Sequence, residues 1–277
     1  MNRRARLLFQ ATALAGLLAC ATLAARSAPL APAQDAAATC SLTWPTHRAE
    51  VEACLRECEI DRVEEVPIGV TKPKRVYFKA GSAVASAAWK PLRPGRYNGY
   101  WESYKSEIAA YELDRLLGLD MVPPAVERRG PDGDMGAMIY WVENVHGWEP
   151  KDPPKVPDQF AWDRQIIRMK LFDQLIANID RNQGNLIYDD DFHLFLIDHS
   201  RAFTSEKNIT KMPSPSRIDG VVWDKMEVMT FDEVKGALGE WVLGDGDIRD
   251  LLERRDRMKK YIDKMVKDRG ARYVFIR

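Results

Sequence analysis

In the run Asp180-Arg181-Asn182-Gln183-Gly184-Asn185 an aspartate and an asparagine stand in an Asp-x4-Asn spacing, and a second aspartate follows in Leu196-Ile197-Asp198. Moving a phosphoryl group onto a hydroxyl requires a set of this kind. One carboxylate orients the acceptor hydroxyl, while oxygen donors hold a divalent cation against the nucleotide phosphates, whose charge is otherwise unscreened. The order assigns Asp180 to the acceptor and Asn185 with Asp198 to Mg²⁺ or Mn²⁺, with Gly184 permitting a tight turn. Upstream, Lys90 closes the run Ala87-Ala88-Trp89-Lys90, where a strand lysine reaches phosphate as a point charge, and Glu107 lies on the next helical stretch, placed to pair with Lys90 or reach the metal. Any one of these residues alone reads as an ordinary cap, edge or surface group; their joint order carries the chemistry. The chain has no G-x-G-x-x-G. The phosphate loop is therefore expected at Lys79-Ala80-Gly81-Ser82-Ala83, with Gly81 contributing backbone N–H contact. Glu143, in Trp141-Val142-Glu143-Asn144, falls where a connection between lobes would meet the base of ATP or another nucleoside triphosphate. His199, beside Asp198, reads as a hydrogen-bonding structural neighbour.

These residues need a sheet followed by helices. Val63 to Val70, Arg75 to Lys79 and Ala83 to Trp89 read as strands broken by Pro73 and Gly81, after a short helix from Ala49 to Cys58. Tyr104 to Leu117 has helical apolar spacing and ends at Gly118. Two further strands, Val126 to Arg128 and Gly136 to Glu143, flank the Gly130-Pro131-Asp132-Gly133 turn. Beyond the segment from Trp148 to Gln159, rich in Pro, Lys and Asp, come helices over Phe160 to Asn178, Phe231 to Val242 and Asp247 to Lys267. A hairpin, Leu186 to Tyr188 with Leu194 to Ile197, separates the first from the rest. The predicted fold is α+β and bilobal: a sheet-rich N-lobe over 49–146, a helical C-lobe over 147–277, and a hinge near Val145 to Gly147.

Lys plus Arg and Asp plus Glu both total 41, so no global charge draws the chain to nucleic acid. The N-terminus carries Arg3, Arg4 and Arg6, an apolar stretch from Leu7 to Ala19, and then small residues, a secretory pattern over 1–20. That stretch is shorter than the roughly 20 residues a membrane-spanning helix needs. Leu17-Leu18-Ala19-Cys20 fits a lipobox, with ordinary cleavage near Ala25 to Ala31 as the alternative. Membrane contact would then be confined to a lipid anchor, with 21–48 a disordered tether and the protein exported to a bacterial periplasm or cell envelope, or secreted. Cys40, Cys54 and Cys58 would give one disulfide and a spare thiol, with Cys40 able to pair with either partner; zinc with His47 is the lesser alternative.

Several runs in order resemble the FAM20 family of secretory-pathway kinases: Ala88-Trp89-Lys90-Pro91, Ser106 through Gly118, Val122-Pro123-Pro124, Leu171 through Asn182, and Leu196 through Phe203. The similarity spans roughly residues 63 to 205 and touches the HipA and phosphatidylinositol 3- and 4-kinase groups. The resemblance implies a protein-kinase-like fold, ATP with Mg²⁺ or Mn²⁺, Lys90 on phosphate, Glu107 supporting the lysine or metal, Asp180 as catalytic aspartate and Asp198 as metal aspartate. Asn185 departs from the acidic residue of the FAM20 pattern, so the acceptor, a protein, glycan or lipid hydroxyl, does not transfer. The rival readings are a catalytically inactive nucleotide-binding or scaffolding protein, a structural lipoprotein and, were the N-terminus unprocessed, a cytoplasmic HipA-like kinase.

Overall fold

The computed structural model describes residues 43–66, 73–149, 151–211, 214–242 and 244–277, all within one unit, Cys40–Arg277. The secretory pattern of 1–20, Cys20 and Cys40 lie outside the described residues. Helix α1 (Trp44–Glu57) starts inside the stretch assigned to the tether, which must therefore end before Trp44. The physical reason is in two residues: a proline sits in the first turn, where its missing N–H costs nothing, and Trp44 is fully buried against the rings of Tyr140 and Phe195. The last turn of α1 is closed by a Cys54–Cys58 disulfide, the pairing that the cysteine spacing left open. The same bond takes both sulfurs away from a zinc site.

Strands β1 (Ile60–Glu65), β2 (Lys74–Phe78) and β3 (Ser86–Lys90) follow. Then comes a hairpin that the sequence reading missed, β4 (Gly95–Tyr97) and β5 (Tyr100–Glu102). Asn98 and Gly99 at its tip both have positive φ, the type I′ geometry that an Asn-Gly pair favours. Helix α2 (Tyr104–Leu117) has the span that its periodicity indicated. Its N-cap Ser103 accepts from the Lys105 N–H at 3.0 Å, and Gly118 ends it in the left-handed region. With β6 (Ala125–Arg129) and β7 (Met135–Tyr140), the first three strands make an antiparallel sheet of order β1-β2-β3-β7-β6.

Alternation along the sheet separates two cores. Val76, Phe78, Ala87, Trp89, Val126 and Met138 face α1, whereas Ala125, Ala137 and Ile139 join the α2 side. Lys90 pairs with Ala137 in the ladder. Gly136 lets the strands close here, since a Cβ would stand 2.5 Å from the Lys90 carbonyl oxygen.

Val145–Gly147, expected as a hinge, forms strand β8. It pairs with β9 (Leu186–Asp189), itself paired with β10 (Leu194–Leu196), so the connection between the halves is held in a three-stranded sheet. Helix α3 (Gln159–Leu175), capped by Asp158, runs before a 3₁₀ turn at Gln183–Asn185. The remaining elements are β11 (Ile218–Asp219), α4 (Gly220–Val228), α5 (Phe231–Leu238), α6 (Asp245–Arg269), α7 (Ala271–Val274) and β12 (Phe275–Ile276). The larger core runs without a break from α2 and the inner sheet face into α3, α4, α5 and α6, so the helix carrying Glu107 is packed as much on the helical half as on the sheet. Among the described residues no helix is long and apolar enough to cross a membrane.

Candidate active site

Lys90, the last residue of β3, shares a sheet face with Ala88 and extends its amine toward α2. Its Nζ donates to Glu107 Oε1 at 2.8 Å and to Asp198 Oδ1 at 3.0 Å. Burial alone would lower the lysine pKa, but the two carboxylates outweigh it and hold the amine charged well above its ordinary value. Glu107 is likewise buried, which opposes ionisation; the Lys90 charge and the hydrogen bond from His199 prevail and keep its pKa far below the usual carboxylate range. The second Glu107 oxygen accepts from the His199 backbone N–H at 2.9 Å. Both of its oxygens are thus engaged by protein, on the lysine and on the chain next to Asp198.

Asp198 follows β10 with φ near +62°, a left-handed conformation that aspartate tolerates better than most residues. The Ile197 N–H donates to the Asn185 carbonyl at 3.2 Å, bringing the end of the hairpin against the Asp-x4-Asn loop. Within that loop, Asn182 Oδ1 accepts from the Gly184 N–H at 2.9 Å, and Asn185 Nδ2 donates to the Asp180 carbonyl at 3.2 Å. Arg181 locks the whole. Its guanidinium donates to both Asp173 oxygens at 2.9 and 3.0 Å and to the carbonyls of Asn185 and Ile197 at 2.9 Å each, and lies 2.9 Å from His199 Nε2. His199 is buried, which lowers its pKa and keeps it neutral, so Nε2 accepts from Arg181 and the proton sits on Nδ1. It is a structural link between Arg181 and Glu107 of α2.

Lys90, Glu107, Asn185 and Asp198 line one end of a cavity of about 320 Å³ whose other walls include Ala88, Val122, Ile139, Trp141, Val142 and Leu196. An apolar slot with a charged end has the shape and chemistry for a base at one side and phosphates at the other. Three residues named from sequence are not brought into its lining. Gly81 lies exposed in the turn between β2 and β3 with φ +87°, and the Glu143 carboxylate is bonded to Arg75 and, at 3.0 Å, to the Ser86 hydroxyl. The neighbours Trp141 and Val142, not Glu143, face the cavity. Asp180 also stands outside the lining, beyond Asn185; its Oδ2 accepts from Arg201 Nη1 at 3.0 Å. Arg201 in turn donates to buried Glu102 at 2.8 and 2.9 Å. Neither Arg201 nor Glu102 was given a role from the sequence. The available signal was Tyr97-Asn98-Gly99-Tyr100, which marks the hairpin carrying Glu102.

The Asp198 carboxylate and the Asn185 amide supply hard oxygen donors of the type that Mg²⁺ and Mn²⁺ take, and Asp198 is 36% exposed, so the set fits a divalent cation at the cavity's charged end.

No family model matches the chain. Protein Rv2133c of Mycobacterium tuberculosis is 26% identical over 133 residues, covering 37% of this chain and 48% of that protein, so the chain spans about half of that relative's length. Among solved structures, hydra Fam20 with sugar superposes with a TM-score of 0.62 at 17% identity, covering 82% of this chain and 91% of that one. The Golgi casein kinase with Mn/ADP bound gives 0.62 at 15% identity, covering 84% and 79%. The chain therefore has the atypical kinase fold of the Fam20 proteins, in line with the resemblance carried by its motifs.

Proposed function

We propose that this chain is an exported atypical kinase that transfers the γ-phosphoryl group of a nucleoside triphosphate to a hydroxyl of a protein, glycan or lipid acceptor. One observation carries the reading: Lys90 bridges Glu107 and Asp198 at the charged end of an otherwise apolar cavity, next to the Asp180–Asn185 loop. A lysine 11% exposed and held between two carboxylates is positioned before substrate arrives, so phosphates meet a fixed charge and little reorganisation is needed. Glu107 keeps the amine in place, while the apolar walls receive the base. Asn185 and Asp198 would hold Mg²⁺ or Mn²⁺, which when bound neutralises phosphate charge; the Golgi casein kinase solved with Mn/ADP supports this pairing of ligand and fold. Asp180, 43% exposed, accepts the hydrogen bond of the acceptor hydroxyl and orients it toward the phosphates. Export rests on the N-terminal pattern of Arg3, Arg4, Arg6 and the apolar stretch to Cys20.

The test is thermal stabilisation of the purified chain by ATP or GTP with Mn²⁺ or Mg²⁺, followed by turnover, for wild type, Asp198→Ala and Asp180→Ala. A ligand that binds only the folded state raises its melting temperature. A metal-dependent rise that Asp198→Ala loses and Asp180→Ala keeps, with turnover absent in both, is the expected result. Binding without turnover in wild type would point to the inactive nucleotide-binding alternative. No rise with any pair would end the kinase reading.

A further inference from the structure

We propose that Arg201 is the positioning residue for the acceptor-orienting aspartate, set in place by Glu102 of the β4–β5 hairpin; the proposal rests on the kinase reading above. Arg201 Nε and Nη2 both donate to Glu102 Oε1, at 2.9 and 2.8 Å, and Nη1 donates to Asp180 Oδ2 at 3.0 Å. The Tyr100 ring covers the guanidinium with its centroid 4.6 Å from Cζ. Contacts on both edges and one face fix a planar group in position and orientation, which a lysine ammonium cannot reproduce.

The two carboxylates differ in what they can do. The Glu102 side chain is 4% exposed, so it stays where Arg201 neutralises it and acts as an anchor. The Asp180 side chain is 43% exposed, and among the described residues the one side-chain bond to its carboxylate comes from Arg201. That bond therefore fixes the direction in which the carboxylate points. A backbone bond from the Ser103 N–H to the Ser200 carbonyl, 2.9 Å, ties the exit of the hairpin to the loop bearing Arg201 a second time. The hairpin itself is inserted between the strand of Lys90 and the helix of Glu107. The phosphate side and the acceptor side of the site are therefore joined through Glu102 and Arg201, and the hairpin sets how Asp180 stands relative to Lys90.

The experiment is Mn²⁺-dependent ATP hydrolysis by the full chain, with water as acceptor, alongside the thermal shift given by Mn²⁺ and ATP. Arg201→Gln and Arg201→Lys are expected to lower kcat about tenfold to hundredfold, the cost of a misplaced reacting group, with KM for ATP and the thermal shift unchanged. Glu102→Gln should give a smaller loss of the same kind. In an Asp180→Asn background Arg201→Gln should cost nothing further, because the two act as one unit. Should Arg201→Gln fold poorly, the double variant Glu102→Gln with Arg201→Gln removes both charges together and must show the same kcat loss. Equal losses with and without Asp180, or a rise in KM that accounts for the loss, would make Arg201 a structural or nucleotide-binding residue and overturn the assignment. An active wild type with unaltered Arg201→Gln overturns it alone; a wild type that neither binds nor hydrolyses ATP overturns the kinase reading and this assignment with it.

Discussion

Two arginines hold the Asp180 loop, one from within it and one from the chain beyond Asp198, and each pairs with an aspartate, yet their surroundings give them opposite work. Arg181 is 2% exposed and meets an Asp173 that is fully buried, with backbone carbonyls and His199 using its remaining donors. Arg201 is 20% exposed and meets an Asp180 that is 43% exposed. The first pair is scaffold: its charges are out of water, every donor is directed at structure, and no substrate can reach it. The second is open to solvent, on the side where the proposed reaction would bring its acceptor. The lesson is that an aspartate beside an arginine near a cleft is not by itself a functional sign; the sign is a carboxylate whose other oxygen remains reachable.

The comparison breaks if the scaffold pair can be cut cheaply. Arg181→Ala leaves Asp173 buried and uncompensated and frees the loop carbonyls, so a loss of about 3–5 kcal/mol is expected, read by denaturant unfolding. A loss below about 1 kcal/mol would place Arg181 with ordinary surface pairs. On the other side, Asp180→Asn should lower turnover about 10²–10⁴-fold while leaving the unfolding midpoint in place; a variant that turns over normally would remove Asp180 from the acceptor role.

Asp114 extends the comparison to a buried carboxylate lacking a cation bond. Its Oδ2 accepts from the N–H groups of Met121 and Val122 at 3.0 and 3.2 Å, and its Oδ1 has no hydrogen-bond partner. Burial pushes its pKa up to about 7 from 3.8, against the backbone bonds and the nearby Arg48. The folded protein thus keeps a proton that the unfolded chain releases near pH 4. This contribution to stability is full below that pH and is lost as the pH rises through about 7. Asp114→Asn should remove that slope, so the stability difference between variant and wild type should change across this window and be flat outside it. A difference independent of pH would show that Asp114 is ionised in the fold.

The smallest effect belongs to the exposed helix face. Arg257 pairs with Glu253 one turn away on α6, both more than 40% exposed. Arg257→Ala should shift stability by no more than about 0.5 kcal/mol; a larger loss would mean that this face, read as solvated, is in contact with something.

Much of the site was legible because its parts are local patterns. Lys90 at a strand end, Glu107 in the first turn of α2 and the Asp-x4-Asn loop after an apolar helix each follow from a short run of residues, and the structure brings Lys90, Glu107 and Asp198 to one point. Two assignments went astray for a common reason. Gly81 and Glu143 were placed by their position near a turn and a strand end, but the facing of a loop depends on how the sheet twists over its neighbour, and Arg75 and Ser86 draw the Glu143 carboxylate elsewhere. The hinge expected at Val145–Gly147 became a strand because β9, forty residues on, supplies its hydrogen-bond partners.

The sequence by itself determined the order of sheet and helices, the span and C-terminal cap of α2, and the identity of the groups able to handle phosphate, since these rest on periodicity, turn chemistry and side-chain type within a few neighbours. Only the tertiary structure decided that Glu107 serves Lys90 with one oxygen and the His199 backbone with the other, that α2 belongs to the core of both halves, and that Glu102 reaches Arg201 across ninety-nine positions. Those contacts depend on non-local packing, which brings together residues whose spacing in the chain carries no trace of their meeting.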